Sequence, residues 1–376
     1  MTRWYSKMSN KSMRILLFST AYLPHIGGAE LAIKEVADRL PEIEFDLITA
    51  KLKRGLPDFE RIGNINVYRI GAGNPFLDKP LLPNLGFLKA ISFHRKKKYD
   101  LVHGVMASQG SAAAYLFKLF YPKVPFVLTL QEGDLGRNSP FDKFWQRRII
   151  KKADALTAIS GYLADFARGH NKKAPLHIVP NGVDLKKFKM TYKDSKTIIT
   201  VSRLVRKNGI DTLIRATGQV PGYHRLIIIG YGKDKKRLEK LAEKLGLKDR
   251  VVFFTNAVHD EILSYLAKAG VFVRPSRSEG LGTAFLEAMA AGVPIIGTAV
   301  GGIPDFLKDG ETGLICKMND PKDLAEKIRM VLEDEGLSRR LSENGRRLVE
   351  ERYNWDRIAV LMKEVYEKTV GYHPGI

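Results

Sequence analysis

Two rhythms alternate along this chain. In its first half the apolar runs RILLFST, FDLITA, INVYRI, LVHGV, PFVLTL, ALTAIS and LHIVP read as strands, and stretches near residues 29–40, 108–120, 141–152 and 161–168 repeat their apolar positions at helical spacing. The second half starts the pattern afresh. TIITVS, RLIIIG, RVVFFT, VFVRPS, VPIIGT and GLIC read as strands, with helices near 210–220, 234–245, 260–268, 283–291, 321–334 and 337–351. Such an order builds an α/β protein whose parallel sheets carry helices on both faces. A chain of 376 residues is too long for one ordinary core, so the pattern predicts two doubly wound domains. The turn signal Pro180-Asn181-Gly182-Val183-Asp184, followed by a lysine-rich polar stretch, marks the boundary. Residues 1–183 then form the first Rossmann-like domain and residues 184–354 the second.

Composition narrows the class. Apolar content of 44% and charged content of 27% are those of a globular protein. No apolar run is long enough to cross a bilayer and the first residues lack a secretory signal, so a cytoplasmic location is expected. The single cysteine, Cys316, excludes an intrachain disulfide and a cysteine-cluster metal site; it reads as a small buried hydrophobe. A net charge of +21 asks for an anionic partner: nucleic acid, an anionic membrane surface, or no partner beyond an acidic cytosol. No nucleic-acid motif accompanies it. The cations gather at His94-Arg95-Lys96-Lys97-Lys98 and in FWQRRIIKK, where Phe144, Trp145, Ile149 and Ile150 mix with four of them as on an interfacial surface. A peripheral position on the inner membrane face is the expectation drawn from these clusters.

Chemistry concentrates in VFVRPSRSEGLGTAFLEAMAAGVPIIGTAVGG, residues 271–302, which parses as strand, glycine-punctuated loop, helix and strand. Open parallel sheets bind ligands at such strand ends, because free amides and the helix dipole converge there on an anion. Gly280 and Gly282 bare the backbone, leaving the amides near Thr283 and Ala284 for phosphate oxygens. Glu279 precedes the helix and Glu287 lies one turn into it, so both carboxylates overlook one pocket. Acids are poor phosphate ligands and good hydroxyl acceptors; together with the amides they fit a nucleotide sugar. Two further strand-end loops belong with them: Ser202 to Gly209, carrying Arg203, Arg206 and Lys207, and Gly230-Tyr231-Gly232. Breaking a sugar–diphosphate bond loads negative charge on the departing phosphate, and fixed cations stabilise it there. In the first domain, Gly27-Gly28 sits at a strand end before a helix and is a candidate donor or nucleotide contact, while His103, Gln131 and Asp134 lie in loops that open on the same edge and are candidate acceptor or sugar contacts.

The run SEGLGTAFLEAMAAGVPIIGTAVGGIPDFLKDGETGL, with seven residues between Glu279 and Glu287, resembles the signature of retaining glycosyltransferases of the GT-B fold, family 4 type. PNGVD, SRLV and GGAE resemble the same family, and the likeness extends from RILLFST to the terminal WDRIAVLMKEVYEKT. It implies two Rossmann-like domains facing across a cleft, the terminal helix, residues 355–372, completing the first. It also implies transfer of a sugar from a nucleoside diphosphate sugar to an acceptor with retention at the anomeric carbon, without an essential metal or other cofactor. By the resemblance Glu287 binds the nucleotide ribose, Glu279 the donor sugar, and Arg203 and a lysine the diphosphate. The family's lysine stands directly before the glycine, where this chain has Asn208; Lys207 is one residue early and is the expected substitute, with Arg206 behind it. The histidine that members carry near residues 131–134 is absent. The basic surface favours a glycan or lipid-linked cell-envelope acceptor. A GT-B sugar-nucleotide epimerase and a noncatalytic nucleic-acid-binding protein are the competing classes.

Overall fold

The computed structural model describes residues 12–25, 27–131, 140–188, 194–222, 224–255 and 259–371. They form two compact units, one running to Pro180 and resuming at Asp356, the other spanning Asn181–Trp355.

The first unit holds β1 (Met13–Phe18), α1 (Gly28–Asp38), β2 (Ile43–Ala50), β3 (Phe59–Ile62), β4 (Ile65–Ile70), α2 (Pro75–Lys97), β5 (Leu101–Val105), α3 (Gln109–Phe120), β6 (Phe126–Leu130), α4 (Pro140–Lys152), β7 (Ala155–Ala158), α5 (Gly161–His170) and β8 (Leu176–Ile178). Its sheet runs β3-β4-β2-β1-β5-β6-β7-β8, parallel except for β3. Strand order reverses between β1 and β5, so the loops after these two strands flank the unit's switch point.

The antiparallel strand β3 and the 23-residue helix α2 are absent from the hydrophobic pattern. Pro80 and Pro83 read as breakers, and the row α2 buries is Asp78, Leu82, Gly86, Ala90 and His94, too polar to register as a helical stripe. Asp78 is nonetheless satisfied: it accepts from the amides of Ala72 (3.0 Å), Gly73 (2.8 Å) and Asn74 (2.9 Å), pinning the chain as it enters the helix. The FWQRRIIKK expectation needs correcting. Ile149 and Ile150 belong to the core and Trp145 packs edge-on against Tyr115, which leaves Phe144 as the exposed apolar residue of the four.

The second unit continues with β9 (Asp194–Val201), α6 (Ile210–Thr217), β10 (Arg225–Ile229), α7 (Lys235–Lys244), β11 (Val251–Phe254), α8 (His259–Lys268), β12 (Ala269–Arg274), α9 (Thr283–Ala290), β13 (Ile295–Gly297), β14 (Leu314–Ile315), α10 (Pro321–Glu333) and α11 (Glu335–Arg352). Its sheet order is β11-β10-β9-β12-β13-β14, all parallel. Every residue of β12 is buried, as expected for a central strand covered on both faces. The core joins Ile198, Ile228 and Val271 of the sheet to Leu213, Leu324 and Ile328 of the helices. Cys316 is buried with it.

The last helix, α12 (Trp355–Val370), lies on the first unit. Tyr366 is buried against Phe45 and His103, and the ion pairs Arg39–Asp356 (2.7 Å) and Lys363–Glu42 (2.6 Å) fasten its exposed side.

Candidate functional site

The second unit's sheet is wound 3-2-1-4-5-6 in its own order, so its crevice opens where β9 and β12 leave the sheet side by side. Those two strands feed the cationic loop and the Glu279 loop, and Arg277 ties the loops together. Its amide donates to the Lys207 carbonyl (2.6 Å), while its guanidinium donates to the Arg206 carbonyl and forks onto both carboxylate oxygens of Asp211 (2.9 and 3.1 Å). Burial opposes ionisation of Asp211, but the hydrogen bonds and charge of Arg277 prevail and hold the carboxyl below its ordinary value.

Within the cationic loop, Arg203 is exposed and its guanidinium has no hydrogen bond or ion pair among the described residues. Lys207 is 9% exposed and engaged within the chain, and the Asn208 side-chain amide donates to the Arg203 carbonyl (2.6 Å). The position that carries lysine in the family is therefore a brace for the loop here, with Lys207 beneath it. Gly230 and Gly232 have a packing reason of their own: a Cβ on them would lie 1.9 Å from the Ser202 carbonyl and 2.3 Å from that of Leu204. They let the neighbouring strand end press directly on the cationic loop.

Glu279 is held from several sides. Its carboxylate pairs with Arg274 at the end of β12 and accepts from the Gly280 amide (3.0 Å), and its carbonyl accepts from Gly302 (3.2 Å). Gly301, at φ 56°, passes so close that a Cβ would fall 1.8 Å from that same carbonyl, which explains the glycine pair after TAV. Arg274 is the residue that the sequence reading passed over. It is 6% exposed, donates to the Val201 carbonyl (3.3 Å), stacks its guanidinium 4.9 Å from the Phe285 ring centre, and leaves its buried Nε without a partner. An arginine closing the all-apolar run VFV was the one available signal.

Gly282, with φ 94°, caps α9, and the amides of Thr283 and Ala284 meet no acceptor among the described residues. The Glu287 carboxyl, one turn on, has no hydrogen bond or ion pair among them either. It is half-buried and crowded by protein, so burial raises its carboxyl to about 7 against the pull of the Arg274 and Lys187 charges. Arg274 thus acts on both acids, pairing with one and attracting the other. The chain brings Glu279, Glu287 and the first-turn amides of α9 to one end of one βαβ unit, with Arg203 on the adjacent strand end.

The first-unit residues do not assemble in the same way. His103 is 4% exposed, with Nδ1 on the Tyr366 hydroxyl (2.9 Å) and Nε2 on the Thr129 hydroxyl (2.7 Å); burial drives its pKa down to about 3. Both ring nitrogens are engaged and the ring is neutral, so His103 is a core residue and its reading as a sugar or acceptor contact is corrected. Gly27 and Gly28 begin α1 at the unit's switch point, where Glu30 turns back beside Gly27. Burial raises the Glu30 carboxyl, opposed by hydrogen bonds from the Glu30 and Gly27 amides. Gln131 is half-buried, and Asp134 lies outside the described residues.

Comparison with known proteins places the chain in a family. The family model for glycosyl transferases group 1 matches residues 184–348, and that for glycosyltransferase family 4 matches residues 26–187. An uncharacterised glycosyltransferase of Methanocaldococcus jannaschii is 28% identical, over 94% of this chain and 98% of its own. A GDP-mannose-dependent alpha-(1-6)-phosphatidylinositol monomannoside mannosyltransferase of Mycobacterium tuberculosis is 32% identical, over 58% of this chain and 63% of its own. Among solved structures, sucrose-phosphate synthase from Thermosynechococcus elongatus superposes with a TM-score of 0.83 at 24% identity, over 96% of this chain and 100% of that one. With the two models together spanning most of the chain, the chain belongs to the GT-B glycosyltransferases of the family 4 type.

Proposed function

We propose that this enzyme moves a sugar from a nucleoside diphosphate sugar to a glycan or lipid-linked cell-envelope acceptor, with retention at the anomeric carbon, on the cytoplasmic side of an anionic membrane. The observation that carries the donor reading is the pairing at the α9 N-terminus: two carboxylates that share Arg274 beside first-turn amides with no acceptor. In this reading Glu279 accepts hydrogen bonds from the donor sugar, Glu287 from the ribose, and the diphosphate rests on the amides of Thr283 and Ala284 under Arg203, with Lys207 adding charge from beneath the loop. No enzymic nucleophile is assigned, and no metal enters any step. The lipid-linked acceptor draws support from the excess of cations and from the phosphatidylinositol mannoside substrate named for the mycobacterial relative.

Two measurements test this. Glu279→Gln and Arg203→Ala are each expected to lower kcat/KM by roughly a hundredfold or more while keeping the folded spectrum. A panel of UDP, GDP, ADP and CDP is expected to contain one nucleotide that raises Tm. A flat panel, or full turnover in both variants, would remove the donor assignment, and an isomerised donor without a glycoside would reassign the enzyme as an epimerase.

A further inference from the structure

We propose that α2 lays the first unit on an anionic phospholipid bilayer, its leucine row entering the interface and its lysines and arginines facing the headgroups. The helix buries only one narrow row, and the opposite side is unusually apolar: Phe76 is 88% exposed, Leu77 57%, Leu81 46%, Leu85 40% and Leu88 59%. Spacings of four, four and three residues align the leucines along the exposed side for more than two turns. Phe120 of α3, 55% exposed and edge-on to Phe87, extends the patch sideways. A solvated face does not carry such a row, and large contiguous apolar patches mark interaction sites.

Charge selects the occupant. Every exposed charged residue on α2, Lys79, Lys89, Arg95 and Lys96, is a cation, and the helix's only carboxylate, Asp78, is buried in its own cap. A protein partner covering the leucines would also have to satisfy these cations one by one, whereas an anionic leaflet satisfies them in any register. Lys89 lies over the rings of Tyr68 (5.9 Å) and Phe93 (4.9 Å) and forms no ion pair with a carboxylate among the described residues. With Ser92 and Tyr68 it borders an open hollow of about 520 Å³ whose rim includes Leu85 and Leu88 and also Asp58, whose carboxylate is paired with Lys51 (2.7 Å). No helix among the described residues is long and apolar enough to cross a membrane, so attachment through α2 is interfacial.

The inference deepens the membrane-side acceptor reading, but its test does not need sugar transfer. The full chain is sedimented with vesicles of equal parts phosphatidylcholine and phosphatidylglycerol, and with phosphatidylcholine alone, beside the double variant Leu81→Glu/Leu88→Glu and the single variant Lys89→Glu. Wild type is expected to partition onto the anionic vesicles only, and less as salt is added. The double variant should lose that binding by roughly tenfold or more and Lys89→Glu by several-fold, each with an unchanged Tm and unchanged nucleotide-induced shift. Equal binding by wild type and the double variant would overturn the proposal. So would absence of wild-type binding accompanied by a wild-type dimer that the double variant abolishes, an outcome that would make the patch a contact between two copies. A lost nucleotide shift with vesicle binding intact would instead count against the donor site alone.

Discussion

At the scale of single residues, Arg274 links the acidic pair, bonded to Glu279 and attracting Glu287. Its charge is buried and compensated chiefly by Glu279, so deleting it strands a carboxylate that is itself mostly covered. Arg274→Met is expected to cost about 3 kcal/mol of stability, read by denaturant unfolding, and to raise the apparent pKa of Glu287. Adding Glu279→Gln to it should return part of that stability and none of the activity, which separates folding from chemistry. Glu287 gives a second, independent prediction. Its folded-state pKa is lifted from an ordinary glutamate value to about 7, so the folded chain binds the extra proton between those limits and stability falls as pH rises through that window. Glu287→Gln removes the group, so thermal scans from about pH 5 to about pH 8 should show a flatter Tm in the variant than in wild type. An identical pH dependence would mean the carboxyl is hydrated and unshifted.

At the scale of elements, what the sequence revealed depended on whether the physics was local. Apolar runs for central strands, Gly282 before α9 and the glycine pair after β13 were legible because a strand, a cap and a tight approach each demand particular residue types. The helix α2 was hidden because it buries an aspartate, a glycine and a histidine, and because its leucines face outward, against the rule that amphipathic periodicity follows. Arg274 was hidden for a related reason: its partner, its stacking ring and its carbonyl acceptor come from three different segments, and only the folded sheet brings them together. The element that carries the cations invites its own test. Gly209, at φ 69°, starts α6, and a Cβ there would fall 1.9 Å from the Pro275 carbonyl. Gly209→Ala should force the cationic loop off the Glu279 loop and strain the backbone by about 1–2 kcal/mol. The expected signature is a lowered Tm with a disproportionate loss of nucleotide affinity. Loss of Tm alone would show that the two loops need not touch for the donor to bind.

At the scale of the whole molecule, the two units divide the work unequally. The second carries the acidic pair, the open amides and the exposed Arg203, whereas the switch point of the first is lined by a turned-back glutamate and its histidine is locked under α12. That asymmetry follows from residues the sequence displayed but could not place, since a histidine at a strand end looks the same whether it meets solvent or Tyr366. It predicts where a bound nucleotide is felt. Ligand binding slows amide exchange in the segments that it orders, and local openings are unequal across a fold. With the matching nucleoside diphosphate at saturation, residues 203–209 and 279–287 should gain the strongest protection, while β5 and α12 around His103 and Tyr366 keep their unliganded exchange rates. Mass-resolved exchange on the full chain reads both at once. Protection confined to the first unit would move the donor to the Gly27-Gly28 loop, and the pairing of Arg274 with Glu279 would then be a feature of stability alone.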